Sequence, residues 1–209
     1  MYFLSLILGY LFGSIPFAVI IARMKGLDIS KLGDGNPGAA NVWRAVGKVW
    51  GVIVFLLDTL KVIIPMFIAH KFLEIKEYPL IMVGTTAVVG HCLPLFNRFR
   101  GGKGLAAIGG IILYVTPKLY LIGAVLYFIR YPIKRAFFVW LTAVLGFLVF
   151  CFLVRPLYPE NYVWIAYGLI TALVVVLLVN ALKFILFRGA EVAEQADAPD
   201  SKSGSPDGE

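Results

Sequence analysis

The sequence contains few of the side chains that most often bind metals or form disulfides. It has two cysteines, Cys92 and Cys151, and both lie in apolar segments, which argues against a disulfide framework. Its two histidines, His70 and His91, have no metal-ligand spacing to either cysteine. The sequence therefore predicts no zinc or iron site.

The motifs of several common enzyme classes are missing as well. The chain has no HxxxxD acyltransferase pattern, no GxSxG nucleophile elbow and no carboxylate cluster that would hold a metal. It has no Walker A pattern, because Gly104 and Leu105 follow Lys103 where that motif needs Ser or Thr. An enzyme with this sequence is therefore expected to act by positioning its substrates and by electrostatics.

Apolar residues, by contrast, make up 60% of the 209 residues and recur in long windows. Windows of about 20 apolar residues match the hydrocarbon depth of a bilayer. We interpret the first window, Tyr2 to Ala22, as a retained helix, because no basic region precedes it. Residues 104–130 could form one helix kinked at Pro117 or two short spans. The windows lie at residues 2–22, 49–69, 79–96, 104–116, 118–130, 136–154 and 162–187.

The distribution of Lys and Arg distinguishes the two span counts, because cytoplasmic loops carry an excess of these residues. Seven spans place thirteen cations on one side of the membrane and four on the other, whereas six spans give nine and seven. We therefore predict an all-α, polytopic integral membrane protein with seven transmembrane helices, its N-terminus outside and its C-terminus in the cytoplasm. Spans four and five are then short, at roughly 20 Å each.

Charge is also uneven at the end of the chain, whose overall net charge is +7. Residues 190–209 hold six acidic residues and one lysine, so they carry −5 and leave +12 on residues 1–189. That last segment is rich in Pro, Ser and Gly, with too little apolar surface to fold. We predict a membrane domain over residues 1–189 and an acidic disordered tail over residues 190–209.

A first glycine-rich segment, "GDGNPGAAN", runs from Gly33 to Asn41 and leads into a predicted helix. Glycine permits backbone conformations in which successive N–H groups point at one ligand, and such a turn before a helix often binds anions. Asn41 and Arg44 are close to one helical turn apart, so both could face one pocket. The segment is predicted to bind phosphate, with an ordinary exposed turn as the alternative.

A second glycine-rich segment, "RFRGGKGLAA", runs from Arg98 to Ala107 between two apolar stretches. Its glycines offer flexible backbone donors around one ammonium group, as in a phosphate cradle. The alternative is that the cations only anchor the cytoplasmic side, but that leaves Gly101, Gly102 and Gly104 unexplained. We predict that this segment also binds phosphate.

Polar side chains interrupt three of the apolar windows. Ser14 lies in "GSIPFA" of the first, and Asp58 and Lys61 lie in "FLLDTLKV" of the second. Ionisable residues inside spans are costly and usually face a partner or a cavity, and a spacing of three residues lets these two pair on one helix face. His91 ends the third window beside the glycines. A purely structural ion pair and a packed histidine are the alternatives.

Taken together, these segments resemble the bacterial acyl-phosphate:glycerol-3-phosphate acyltransferases, the PlsY family. The matching pieces are "GSIPFA", "GNPGAAN" followed by Arg44, "DTLK" and "GHCLPLFNRFRGGKGLA", in the family's order, within roughly the first 110 residues. The patterns GNxGAxN and GHxxPxFxxFxGGKG are specific when they occur together. The resemblance also implies seven spans with the N-terminus outside, in agreement with the charge count.

The resemblance implies that an acyl group passes from acyl-phosphate to the 1-hydroxyl of glycerol 3-phosphate, giving lysophosphatidic acid and inorganic phosphate in phospholipid biosynthesis. It implies no metal and no cofactor, because acyl-phosphate is an activated mixed anhydride that is thought to be attacked directly. The implied setting is the cell inner (cytoplasmic) membrane, with the two substrates and membrane lipid as partners and no nucleic acid. We expect a monomer and leave open an association with other phospholipid-synthesis enzymes.

The resemblance also assigns roles to residues at matching positions. Catalytic roles, in holding the reacting groups or stabilising the leaving phosphate, fall to Lys103, His91, Ser14, Asp58 and Lys61. Substrate-binding roles fall to Asn36, Gly38, Asn41, Arg44, Gly101, Gly102, Gly104 and Asn180.

The chain departs from the family pattern at Asp34, in its C-terminal motif, and at Ala40 and near Ala107, where the family commonly has Thr. The family commonly has Ser at Asp34, and a carboxylate in a phosphate loop repels the ligand unless it points away or pairs with a cation. The family's basic HxxN motif reads "LLVNALKFILFRG" here, with Leu177 in place of His, while Asn180 and Lys183 match the Asn and a later basic residue. A diverged, weakly active homologue that binds lipid precursors therefore stays an alternative, as does a transporter of an anionic metabolite.

Overall fold

The computed structural model describes residues 1–118, 120–121 and 156–196. The regular elements in these ranges are helices, as the sequence predicts. The α-helices whose bounds are described are α1 (Tyr2–Gly13), α2 (Phe17–Met24), α3 (Ala39–Ala45), α4 (Lys48–Phe72), α5 (Glu77–Cys92), α6 (Leu105–Val115) and α7 (Tyr162–Ala196). Two short 3-10 helices cover Ile29–Lys31 and Leu95–Asn97.

Four of the described segments are long and apolar enough to cross a bilayer: Tyr2–Met24, Lys48–Phe72, Glu77–Asn97 and Tyr162–Leu186. Helix α6 is apolar but only 11 residues long, which agrees with the short span four expected from the sequence. The predicted windows 118–130 and 136–154 lie almost entirely outside the described residues. The all-helical membrane fold is confirmed, whereas the count of seven spans and the sidedness of the termini stay predictions.

The first span is broken in the middle, where α1 ends and α2 begins. Pro16 has no N–H to donate back along the helix, and Ile15 N–H instead donates to Phe12 O at 3.2 Å. The helix resumes at Phe17, with Val19 and Ile20 N–H both donating to Pro16 O. The break exposes the Ile15 carbonyl inside the protein, where a side chain from another helix can reach it.

Helices α1 and α5 pack closely because glycines line their contact. Gly9 and Gly13 on α1 lie one turn apart, and an added Cβ at either would collide with the α5 backbone, at Val83 O and Ala87 O respectively. Gly90 on α5 faces Tyr10 O in the same way. Small residues let membrane helices approach closely, and this contact carries the end of α5 to the break in the first span.

Helix α7 packs on α5 and contributes buried Ile165, Leu169 and Val176 to the main apolar core. A Cβ at Gly168 would meet Ile81 of α5. The helix continues to Ala196, so its backbone includes the first seven residues of the segment predicted to be a disordered tail. Residues 197–209 lie outside the described chain, and the division at residue 189 stays a prediction.

Candidate active site

Asn41 holds the first glycine-rich segment in shape from inside the protein. Its fully buried side chain donates to Leu32 O at 2.8 Å and accepts from Asp34 N–H at 3.3 Å. Gly33 lies in the left-handed region, with φ +59°, and an added Cβ would strike the Asn41 amide. The predicted role of Asn41 in shaping this pocket is consistent with these bonds, but its side chain faces the loop backbone.

The carboxylate of Asp28 holds the turn that leads into the first glycine-rich segment. It accepts from the N–H of Ser30 at 3.1 Å and from its hydroxyl at 2.7 Å. These bonds favour the ionised carboxylate, so the pKa of Asp28 lies below its ordinary value.

Asp34 joins the two glycine-rich segments through an ion-paired group, which we call the open cluster: Asp34, Arg44 and Lys103. Its Oδ2 lies 3.0 Å from Arg44 Nη2 and 4.0 Å from Lys103 Nζ. The three side chains are 45%, 54% and 66% exposed, in that order. Of the two conditions under which a carboxylate is tolerated in a phosphate loop, Asp34 thus meets the second, because it pairs with cations. The two segments meet at one end of the helices.

The GGKG segment lies directly against His91. Gly102 N–H donates to His91 O at 3.2 Å, and a Cβ at Gly102 would strike the imidazole ring. A Cβ at Gly101 would strike the backbone of His91 and Cys92. Gly104 has φ +90° and directly precedes α6. These contacts require glycine and account for residues that simple charge anchors would not need.

Helix α7 fastens the GGKG segment from the other side. Asn180 Nδ2 donates to Lys103 O at 3.2 Å and to Val176 O at 2.9 Å. Lys183 Nζ donates to the carbonyls of Gly101 and Gly102. Leu177, which replaces the family's histidine, is 53% exposed. The remaining polar residues of this motif therefore still hold the loop.

A second ion-paired group, which we call the buried cluster, consists of Asp58, Lys61 and His91. Asp58 Oδ1 lies 2.8 Å from Lys61 Nζ and 3.4 Å from His91 Nδ1, and the second contact lacks hydrogen-bond geometry. Lys61 Nζ also donates to Ile15 O at 2.9 Å. The predicted pairing of Asp58 with Lys61 is confirmed. The side chains are only 3%, 3% and 5% exposed, in the order Asp58, Lys61 and His91.

A narrow cleft connects these parts of the molecule. Its lining includes all three members of the buried cluster, Arg100 of the second glycine-rich segment and Pro37 of the first. Ile15, Pro16 and Phe17 line it at the break in the first span, and Pro94, Gly101 and Gly102 complete it. The cleft thus brings the polar residues of the second and third predicted spans, and the break in the first, to the two glycine-rich segments.

The other predicted site residues occupy different positions relative to this cleft. Ser14 is fully buried and donates to Tyr10 O at 2.8 Å within its own helix. Asn36 and Gly38 flank the cleft residue Pro37, and Gly38 N–H donates to Asn36 O at 2.9 Å. Lys103 contributes its ammonium to the open cluster, beside the cleft. The roles assigned to these residues stay predictions.

Two further residues hold the site but were not assigned to it from the sequence. Lys183 binds the GGKG carbonyls, and Thr59 Oγ1 donates across to Ala106 O at 3.3 Å, at the start of α6. The sequence carries a signal for both, because Lys183 is a cation in an apolar helix three residues after Asn180, and Thr59 follows Asp58. Within the described ranges, no three His, Cys, Asp or Glu side chains could hold a metal ion together.

Comparison with known proteins matches this chain to the glycerol-3-phosphate acyltransferase family. That family matches residues 3–187, which include both glycine-rich segments. The chain is 40% identical over 161 residues to the glycerol-3-phosphate acyltransferase of Aquifex aeolicus (strain VF5), covering 77% of this chain and 83% of that one.

Two crystal structures of PlsY, an integral membrane glycerol 3-phosphate acyltransferase, have the same fold. The glycerol 3-phosphate form has a TM-score of 0.72 at 33% identity, and the lysophosphatidic acid form has 0.69 at 31%. Each likeness covers 89% of this chain and 92% of the other.

Proposed function

The chain belongs to the glycerol-3-phosphate acyltransferase family and is a multi-pass membrane enzyme that transfers an acyl group to glycerol 3-phosphate, and we propose that its donor is an acyl-phosphate. The acceptor atom is the 1-hydroxyl oxygen, and the setting is the cell inner membrane. The related PlsY has been crystallised in a glycerol 3-phosphate form and a lysophosphatidic acid form. These forms correspond to the substrate and the product of the transfer.

The observation that carries the proposal is the open cluster. One carboxylate oxygen of Asp34 lies between a guanidinium from one glycine-rich segment and an ammonium from the other. An anionic oxygen can therefore interact with Arg44 and Lys103 together, so Lys103 is proposed to lie between the phosphates of the two substrates. Both substrates are phosphates, and Arg binds phosphate oxygens in a fork while Lys acts as a point charge.

The lining of the cleft supports an activated donor. Among the residues described, it contains neither serine nor cysteine, the side chains that most often form acyl-enzyme intermediates. Direct transfer fits this lining. The hydroxyl oxygen of glycerol 3-phosphate attacks the acyl carbonyl carbon, and the bond from that carbon to the phosphate oxygen breaks. The electron pair leaves with phosphate, which takes up the hydroxyl proton.

The GGKG segment is proposed to hold the leaving phosphate. Lys103 stabilises the negative charge that develops there, and the amides of Gly101 and Gly104 add donors, while Gly102 packs against His91. Fixed donors stabilise a transition state without the cost of reorientation. Asn180 and Lys183 fix this segment through its carbonyls, and Gly102 N–H is held by His91 O. The N–H groups of Gly101 and Gly104 and the Lys103 side chain are then the groups proposed to meet the ligand.

The first segment and the buried cluster are proposed to hold the acceptor. Arg44 binds its phosphate, while Asn36, Gly38 and Asn41 shape that loop. Asp58, Lys61 and His91 line the cleft, where they orient the hydroxyl group. Ser14 supports the broken first span behind them through its bond to Tyr10 O. The acyl chain lies among the apolar helices in the bilayer.

The donor is tested with purified protein in lipid nanodiscs and labelled glycerol 3-phosphate. Palmitoyl-phosphate and palmitoyl-CoA are supplied in separate reactions, and lysophosphatidic acid and inorganic phosphate are measured. We expect product from palmitoyl-phosphate alone, with one phosphate released per product. Equal rates with palmitoyl-CoA would contradict the proposed donor while leaving the acyltransferase activity intact.

A further inference from the structure

We propose that Asp34 is an internal competitor for the substrate's phosphate group. In this proposal, the Asp34 carboxylate occupies the position between Arg44 and Lys103 that a phosphate oxygen takes on binding, and the phosphate must displace it. Asp34 thereby limits the affinity for phosphate and speeds its release. The inference rests on the proposed phosphate site and adds a residue that sets how tightly this site binds.

The geometry makes Asp34 a shared anion for two cations on different segments. Its Oδ2 is the atom that approaches both Arg44 Nη2, at 3.0 Å, and Lys103 Nζ, at 4.0 Å. Its Oδ1 is engaged elsewhere and accepts from Asn36 N–H at 3.3 Å. One oxygen therefore holds the two cations near each other, in the arrangement that a phosphate oxygen requires.

The exposure of this group makes the carboxylate displaceable. Its side chains are between 45% and 66% exposed, and exposed ion pairs contribute at most about 1 kcal/mol. A phosphate monoester carries nearly two negative charges at neutral pH and offers three oxygens, so it can replace one carboxylate oxygen at both cations. The buried cluster is not suited to such an exchange, because its side chains are almost entirely removed from water.

The backbone around Asp34 lets the side chain move without unfolding the loop. Its N–H is held by Asn41 Oδ1 at 3.3 Å, and Asn41 is anchored in turn to Leu32 O. Rotation about the Asp34 side-chain bonds is therefore enough to withdraw the carboxylate. Once withdrawn, it stays tethered close to the site, which gives it a high effective concentration against a departing phosphate.

The test measures direct binding to Asp34→Asn in nanodiscs by isothermal titration calorimetry. Asn keeps the shape and the acceptor for Asn36 N–H but removes the charge. Glu160→Gln removes one exposed carboxylate just before the start of α7, far along that helix from Asn180, and serves as the control. The probes are glycerol 3-phosphate and inorganic phosphate, so their two arms distinguish the acceptor's phosphate from the leaving phosphate.

We expect Asp34→Asn to bind at least one probe about fivefold more tightly at low salt, an effect in the range of an exposed ion pair. The gain should shrink in about 0.5 M salt, because screening weakens exposed charges. Glu160→Gln should bind as the unmodified protein does. Asp34→Ser is a second variant without the charge and should behave like Asp34→Asn, which guards against a local defect of one substitution.

Unchanged or weaker binding of both probes by both Asp34 variants would overturn the proposal. Arg44→Ala and Lys103→Ala separate this result from failure of the phosphate site itself. If those two variants lose phosphate binding while the Asp34 variants bind normally, the site stands and the role of Asp34 is wrong. If they bind as well as the unmodified protein, the phosphate site is wrong, and the Asp34 proposal fails with it.

Discussion

The open and buried clusters contain similar charged groups but differ in their exposure to water. Each has one carboxylate between two basic groups: Asp34 with Arg44 and Lys103, and Asp58 with Lys61 and His91. The carboxylate is 45% exposed in the first and only 3% exposed in the second. Both lie at the same end of the helices, because the GGKG segment contacts His91 through Gly102 and Asp34 through Lys103.

Because the two clusters differ in burial, we infer that their similar charges have different roles. Charges removed from water lose solvation, so each buried partner depends on the others and the group is fixed. Exposed charges keep most of their solvation, gain little from pairing and exchange partners readily. The buried cluster is therefore suited to holding a fixed geometry, and the open cluster to binding and releasing an anion.

Removal of the buried carboxylate should have the larger effect on folding. Asp58→Ala leaves Lys61 buried without its counter-charge, and breaking a buried pair in this way costs about 3–5 kcal/mol. We expect the unfolding temperature in detergent to fall by roughly 10 °C, as measured by tryptophan fluorescence.

The double substitution Asp58→Leu with Lys61→Met is the matched control for this prediction. It removes both charges and keeps similar volumes, which is often tolerated where a single removal is not. We expect the double variant to be more stable than Asp58→Ala. If Asp58→Ala unfolds at the same temperature as the unmodified protein, the buried cluster is not the fixed element that we infer.

A smaller effect, on kinetics, is expected where α7 holds the GGKG segment. Lys183→Met keeps the apolar stem and removes the ammonium that donates to the carbonyls of Gly101 and Gly102. A less rigid phosphate segment should lower kcat by about tenfold, in the range of losses that misplaced reacting groups cause. Initial rates with palmitoyl-phosphate and glycerol 3-phosphate measure this loss.

Two variants show whether the effect comes from positioning. Lys183→Arg should restore most of the rate, since a guanidinium can also donate to two carbonyls. Lys71→Met removes a cation from the last turn of α4, away from the GGKG segment, and should leave the rate unchanged. Normal kinetics of Lys183→Met would show that the α7 contact does not position the segment.

The sequence predicted the individual helices and pairs more reliably than their assembly. The apolar windows marked the long helices, and the spacing of Asp58 and Lys61 predicted their pairing because one helix turn determines it. The cations that pair with Asp34 could not be predicted in this way. Arg44 lies on the next helix, and Lys103 is 69 residues after Asp34, so packing alone brings it near. Local periodicity carries no information about such a distant contact.

Two features of the packing have signals in the sequence that indicate a contact without identifying its partner. Gly9 and Gly13 form a small-xxx-small pair, which is typical of close membrane helix contacts, and they allow α1 to approach α5. Lys183 is a cation within an apolar helix, which usually marks a polar partner. Which carbonyls it binds depends on how α7 packs on α5, and no feature of the sequence gives that arrangement.

The central claim is that the open cluster binds phosphate without supporting the fold, and Lys103→Ala tests it most directly. The matched control is Lys31→Ala, which removes an exposed cation just before the first glycine-rich segment. Both activity and unfolding temperature are measured. We expect Lys103→Ala to lose at least about a hundredfold in kcat/KM while it unfolds at the unmodified temperature, and Lys31→Ala to keep full activity. Normal turnover of Lys103→Ala would contradict the account.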